Sequence, residues 1–158
     1  MEIKESYNKL IESDVFKTWK EKHNNSYLFI VFTLFEKEVH GFEFIYLDTD
    51  SKETTNFEVQ FKVNEKGVEK TDKTPTELIF EDAKITFDDA LEIANKSRLE
   101  NYAAETIGRK MVLLENQEGI RWNITFFTAS FKTINFKVNA ADGSLLDRSI
   151  STLFHWDE

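Results

Sequence analysis

Hydrophobic residues in the second half of the chain change from a helical to an alternating spacing. Apolar residues first recur at positions i, i+3, i+4 and i+7, which is the spacing of one helix face. These residues are Phe87, Ala90, Leu91 and Ala94. Thr86 precedes them as a suitable N-cap, because its hydroxyl can accept a hydrogen bond from the free amides of the first turn. The pattern therefore predicts a helix that begins after Thr86.

Alternating segments follow this helix and predict strands. After a short apolar run at 111–115, every second residue is apolar in 120–126 and again in 134–138, as expected for half-buried strands. The connections are too short for a parallel return, so neighbouring strands must be antiparallel. We therefore predict one helix that covers one face of a three-stranded antiparallel meander.

The first half of the chain shows the same order of elements. An apolar stripe from Ile3 to Trp19 predicts a helix, and three strands are predicted after it. The strands are predicted at 27–35, 42–47 and 57–63. The tetrapeptide Phe-Lys-Val-Asn ends the third predicted strand in both halves, at 61–64 and 136–139. Because true repeats match by structural position, this placement indicates a tandem repeat.

The predicted fold class is therefore α+β, with two tandem helix-plus-three-stranded antiparallel meander units packed together. We expect the units to pack on each other, because one helix cannot cover both faces of a small sheet. The polar segment around the single proline, Pro75, marks a linker. The predicted boundaries are 1–70 for the first unit, 71–84 for the linker, 85–150 for the second unit and 151–158 for a tail.

Three segments of the second unit resemble a PepSY domain: the helix start at 86–91, the later Ala94, and the closing segment 138–146. That family has an acidic helix start with Ala-Leu and ends in a strand running Val-Asp-Ala-x-Thr-Gly. Asn139 and Asp142 depart from this pattern, whereas Gly143 keeps it. The resemblance implies a tandem PepSY-like protein with a more divergent first copy. It also implies a non-catalytic module that binds or restrains peptidases or serves protein interaction in general.

Charge and composition narrow the classes of partner. The chain of 158 residues carries 29 acidic and 20 basic side chains, a formal net charge of −9. This balance argues against a nucleic-acid partner, which requires a basic surface, and would suit a basic protein. The chain has no cysteine, no apolar run long enough for a membrane span, and no signal-peptide core in its first twenty residues. We therefore predict a cytoplasmic protein without membrane association.

The sequence predicts no catalytic, cofactor-binding or metal-binding residue. The three histidines lack metal-ligand spacing and are expected at the surface: His23, His40 and His155. The segment 48–53 has acidic residues at spacings similar to a calcium loop, but it lacks the central glycine and has Lys52 at a ligand position. Neither a nucleophile elbow nor a glycine-rich phosphate loop occurs. We therefore predict that the protein is not an enzyme.

Four aromatic residues form the predicted interaction surface: Phe127, Phe131, Phe154 and Trp156. If Phe126 faces the core, Phe127 must face the other side of the sheet, where it is either covered by the other unit or part of a recognition patch. The apolar tail that contains Phe154 and Trp156 either docks back on the sheet or reaches a second chain as an edge strand or aromatic plug. Unpaired strand edges would also allow a homodimer.

Three hypotheses for function follow. The first is a PepSY-type protein-interaction module that binds or restrains a peptidase. The second is an acidic neutralising partner of a toxic enzyme, of the immunity-protein type, which predicts a concentrated acidic face. The third is a small-molecule carrier or an enzyme, which predicts a pocket that converges on histidines or carboxylates.

Overall fold

The computed structural model describes residues 2–153. Its α-helices are α1 (Ile3–Glu12), α2 (Asp14–Lys22) and α3 (Phe87–Asn101), and a short 3-10 turn spans Phe80–Asp82. Its strands are β1 (Ser26–Phe35), β2 (Phe42–Asp48), β3 (Glu53–Val59), β4 (Val63–Lys70), β5 (Ile107–Asn116), β6 (Ile120–Thr128), β7 (Lys132–Asn139) and β8 (Leu145–Thr152).

The apolar stripe near the start of the chain forms two helices instead of one. Ser13 separates them with an extended backbone (φ −73°, ψ 147°), and its Oγ accepts a hydrogen bond from the amide of Phe16 at 3.2 Å. Serine favours this role because its hydroxyl satisfies an amide that the helix leaves free. The helical region ends at Lys22, the last residue of α2, and His23 is its C-cap.

Strands β1 to β4 pair antiparallel with their sequence neighbours. Phe44 on β2 lies opposite Phe57 on β3, and both are fully buried. The ring of Phe57 is in turn 5.5 Å from Phe16 and 5.1 Å from Trp19 on α2. Aromatic side chains of the sheet and of α2 therefore build this part of the core.

The second half confirms the predicted helix and its cap. Oγ1 of Thr86 accepts a hydrogen bond from the amide of Asp89 at 3.1 Å, and α3 follows directly. The ring of Phe87 lies 5.9 Å from Trp122 on β6, whose indole nitrogen donates to the carbonyl of Ile85. The predicted alternation is also confirmed, because buried and half-buried residues alternate along β6 and β7.

The predicted fold of two tandem helix-plus-three-stranded units is wrong. Across residues 2–153, the structure has three α-helices and one eight-stranded sheet in the order β4-β3-β2-β1-β5-β6-β7-β8. The strands that the sequence did not reveal are β4 and β8, which stand at the ends of this order. Every residue of β8, and every residue of β4 after Val63, is exposed. Such strands are held by backbone hydrogen bonds to one neighbour, so no alternating apolar pattern marks them.

The chain divides into two compact units, the first from Met1–Thr33 and Val39–Ile79, the second from Leu34–Glu38 and Phe80–Glu158. In the first unit, the segment before the boundary is fixed to β1. The amide of Leu78 donates to the carbonyl of Leu28 at 2.8 Å, and the hydroxyl of Tyr27 donates to the carbonyl of Pro75. Within residues 2–153, no helix combines the length and apolarity that crossing a membrane requires.

Candidate binding surface

Strands β5 to β8 of the second unit present one face to α3 and a second face that α3 does not cover. Because successive side chains of a strand point to opposite faces, the neighbours of buried Trp122, Ile124 and Phe126 lie on this second face. We call it the polar face. Its members on paired strands are Met111, Leu113, Glu115, Arg121, Asn123, Thr125, Phe127, Thr133, Asn135, Lys137, Asn139, Asp147, Ser149 and Ser151.

A side-chain amide cluster occupies the middle of the polar face. Nδ2 of Asn135 donates to Oδ1 of Asn123 at 2.6 Å and to Oγ1 of Thr125 at 3.0 Å. It also lies 3.3 Å from the carbonyl of Ile124. All three side chains are half-buried. Within residues 2–153, Nδ2 of Asn123 and Oδ1 of Asn135 make no hydrogen bond, so a donor and an acceptor remain for another molecule.

The sequence interpretation missed this cluster because Asn123 and Asn135 are distant in the chain and lie on different strands. The register places Thr125 opposite Asn135 and Asn123 opposite Lys137. Polar residues alternate with apolar ones on both strands. Pairing the two strands as a hairpin in the correct register would have predicted that the two amide side chains are neighbours.

Two ion pairs flank the amide cluster. Arg121 contacts Glu115 through Nε and Nη2, each 2.9 Å from Oε2, and the Glu115 side chain is only 6% exposed. On the other side, Nζ of Lys137 lies 3.5 Å from the carboxylate of Asp147. Two acids and two bases thus balance, and the polar face is locally neutral although the whole chain carries −9.

The two predicted aromatic contacts that the structure describes lie near one end of this face. Phe127 is half-buried and pairs with Thr133, next to the β6–β7 turn. Phe131 belongs to that turn, has a left-handed φ of 61°, and is 59% exposed. Its backbone is fixed because its amide donates to Thr128 and its carbonyl accepts from Leu153. Phe154 and Trp156 lie outside the described residues.

A charged cluster braces the same turn. Oε1 of Glu105 lies 2.9 Å from Nζ of Lys132, and Oε2 accepts a hydrogen bond from Ser130 at 2.7 Å. The hydrogen bonds from Ser130 and then from Lys132 lower the pKa of the Glu105 carboxyl below its usual value. Glu105 is therefore ionised at neutral pH and bonds the side chains of Ser130 and Lys132, the residues on either side of Phe131.

The acidic residues of segment 48–53, whose spacing is similar to that of a calcium loop, have a different role. Oδ1 of Asp48 accepts from the amide of Asp50 at 2.8 Å, while its Oδ2 lies 2.6 Å from Nδ1 of His23. His23, expected at the surface, is thus half-buried and hydrogen-bonded to Asp48, whereas His40 is exposed. His155 lies outside the described residues. Across residues 2–153, no three His, Asp or Glu side chains converge in a metal-binding arrangement.

Comparison with known proteins gives one structural likeness. No protein-family model and no curated protein matches the chain. The fold is similar to a crystal structure described as a "putative lipoprotein" from Clostridium difficile 630, with a TM-score of 0.57 and 17% sequence identity. The match covers 90% of this chain and 99% of that one. At this identity the likeness shows a shared fold alone, and the PepSY resemblance stays a prediction.

Proposed function

We propose that the protein is a non-catalytic protein-interaction module that docks a partner on the polar face. The observation that supports this most is the amide cluster, which holds a free donor on Asn123 and a free acceptor on Asn135 in half-buried, hydrogen-bonded side chains. Protein interfaces carry many direct hydrogen bonds. Side chains that are already ordered lose less conformational entropy when they bind.

Phe131 would supply the apolar contact at the rim of this surface. Its side chain is exposed, while its backbone amide and carbonyl are hydrogen-bonded to Thr128 and Leu153. Aromatic residues are enriched in protein interfaces, and a few well-placed anchors carry most of the binding energy. A rigid turn that presents an exposed aromatic ring fits such an anchor.

The neutral polar face favours a general interaction module over an acidic neutralising partner of a toxic enzyme. The latter predicts a concentrated acidic face, whereas the two acids of the polar face are each paired with a base. The net charge of −9 would still accelerate encounter with a basic partner. As part of this proposal, the PepSY resemblance makes a peptidase the first partner to test. Cytoplasmic location stays a prediction.

The test compares surface variants with a matched control. The tagged wild-type protein captures partners from a native lysate, and each recovered protein is purified and titrated against three variants. These are the double variant Asn123→Ala/Asn135→Ala, the variant Phe131→Ala, and the control Asn64→Ala on exposed β4. We expect the first two to weaken the dissociation constant at least about tenfold, equivalent to roughly 1.4 kcal/mol, and the control to bind like wild type.

Two results would contradict the proposal. One is a partner that binds the double variant and wild type equally, with circular dichroism confirming that both are folded. The other is the absence of any saturable partner. A recovered peptidase would support the PepSY-type role, and a nuclease or another toxin would support the neutralising role.

A further inference from the structure

A groove opens in the second unit between α3 and β5, on the side of the sheet opposite the polar face. It encloses about 500 Å³, within the range of roughly 300–1,000 Å³ that is typical of small-molecule sites. Its apolar surface comes from the half-buried side chains of Leu91 on α3 and Ile107 on β5, with the fully buried Phe126 of β6 beneath them. The groove therefore offers apolar surface to a ligand that enters from solvent.

Two cations line the groove without a carboxylate partner. The guanidinium of Arg98 donates from Nε and Nη2 to Oδ1 of Asn95, at 3.0 and 2.8 Å, and its Cζ lies 5.7 Å from the centre of the Phe126 ring. Nζ of Lys110 donates to the carbonyl of Glu36 at 3.0 Å. Both side chains are half-buried, and neither forms an ion pair within residues 2–153. Partly desolvated cations gain most from a bound anion.

Lys9 and Lys20 are half-buried and bond only uncharged oxygens, as Arg98 and Lys110 do. Other half-buried basic side chains have carboxylate partners. Arg121 has Glu115, and Lys137 has Asp147. Arg98 retains its Nη1 donors, and Lys110 retains the donors that Glu36 does not use. The groove thus holds free donors for an anion that the described chain does not supply.

The remaining charged residues make the two ends of the groove different. Asp88 and Glu92 also line it, from the first turns of α3. Arg98 follows Glu92 by six residues, which is about 9 Å along a helix, and follows Asp88 by ten residues, about 15 Å. The charged group of an anion would therefore lie at the Arg98 end, away from these two carboxylates, with its apolar part toward Leu91.

We propose that this groove binds a small amphipathic carboxylate. The carboxylate accepts hydrogen bonds from the guanidinium of Arg98 and the ammonium of Lys110, while its apolar group covers Leu91 and Ile107. Arginine suits this role because its planar fork matches the geometry of a carboxylate. A free aliphatic acid and the carboxyl-terminal residue of a peptide share this chemistry.

The test is a titration followed by ¹H–¹⁵N NMR, with two carboxylate probes and two matched controls. The probes are octanoate, for a free acid, and N-acetyl-leucyl-leucine, for a peptide terminus. The controls are octylammonium and N-acetyl-leucyl-leucinamide, which keep the apolar groups and lack the carboxylate. We expect saturable shifts at the Arg98 Nε–H and at groove amides, with a dissociation constant of about 1 mM or tighter, for at least one carboxylate and for neither control.

Charge-removing variants locate the site. Arg98→Gln and Lys110→Gln should each weaken binding about tenfold or more, whereas Lys96→Gln, exposed on the same helix, should leave it unchanged. If Arg98→Gln fails to fold, Lys110→Gln still decides. Binding of octanoate alone identifies a free acid as the source, and binding of the dipeptide alone identifies a peptide terminus. The proposal is overturned if neither carboxylate saturates, if a control binds as tightly, or if folded Arg98→Gln and Lys110→Gln bind like wild type.

Discussion

Nδ1 of His23 lies 2.6 Å from Oδ2 of Asp48, so the residue that caps α2 is fixed to the last residue of β2. The imidazole also stacks on Trp19, with ring centres 4.6 Å apart. Burial alone would raise the pKa of Asp48, but hydrogen bonds from His23 and from the amides of Asp50 and Ser51 outweigh it and lower the pKa. The ionised carboxylate therefore stabilises the fold.

Asp48→Asn should lower the free energy of unfolding at pH 7 by about 1.5–3 kcal/mol, the contribution of a hydrogen bond to a charged group. Because the pKa of Asp48 is lower in the folded protein, its contribution is complete above the unfolded value of about 3.9. It is lost as the pH falls through the folded pKa. Urea unfolding at pH 7 and about pH 3 measures both values, and the gap between variant and wild type should shrink at the lower pH.

Asp72→Asn provides the control for this measurement, because Asp72 is exposed in the segment after β4. It should match wild type at pH 7. A destabilisation by Asp48→Asn that stays the same from pH 7 to pH 3 would contradict the assigned role of the carboxylate.

The ammonium of Lys9 on α1 donates to the carbonyls of Gln60 and Phe61, at 3.2 and 2.5 Å, and so ties the helix to the β3–β4 turn. Lys9→Met keeps the aliphatic stem and removes the donors, and we expect it to cost about 0.5–1.5 kcal/mol. Amide hydrogen exchange at Gln60, which bonds the carbonyl of Lys62, should accelerate in this variant. Lys17→Met, on the exposed side of α2, is the control. Equal rates of amide exchange at Gln60 in the two variants would contradict a stabilising role for the hydrogen bonds of Lys9.

Phe57 and Phe61 provide a matched pair on the same hairpin, since Phe57 is fully buried and Phe61 is 95% exposed. Phe57→Ala should cost about 3–5 kcal/mol because it leaves a cavity among Phe16, Trp19 and Phe44. Phe61→Ala should stay within about 0.5 kcal/mol of wild type. Urea midpoints at constant m-value compare the two, and similar losses would show that the hairpin is packed differently.

Thr86→Ala should destabilise the protein by about 0.5–2 kcal/mol, because the amide of Asp89 loses its acceptor at the start of α3. Thr86→Ser keeps the hydroxyl and should retain most of the stability. Thr74→Ala, at an exposed position outside any helix or strand, is the matched control. Thermal unfolding measures the three variants, and an unchanged melting temperature for Thr86→Ala would mean that the cap contributes nothing.

The sequence predicts an element well where the element buries one face, because its apolar residues then recur with a regular local spacing. Thr86 and the apolar stripe behind it located α3, and the strict alternation around Trp122 located β6. By contrast, β4 and β8 carry exposed side chains on both faces, and their pairing partners are backbone groups of β3 and β7. Residue patterns do not encode such pairing, and for this reason the predicted fold lacks β4 and β8.

The candidate surfaces likewise contain features that the local sequence pattern predicts and features that depend on the tertiary fold. Because side chains alternate along a strand, the sequence alone placed Phe127 and Phe126 on opposite faces of the sheet. The Asn123–Asn135 contact depends on the register of two strands, and the groove depends on how α3 lies over β5. Arg98 and Lys110 are ordinary surface-type residues in the sequence, and only the fold reveals that both lack a carboxylate partner.

The burial of Trp19 in the first compact unit and of Trp122 in the second gives each unit its own intrinsic fluorophore. With the third tryptophan changed, as in Trp156→Phe, the emission would come from these two indoles alone. Adding Trp19→Phe or Trp122→Phe would then leave a single reporter in one unit. Paired denaturation curves from such proteins would reveal directly whether the halves of this chain melt together or one after the other.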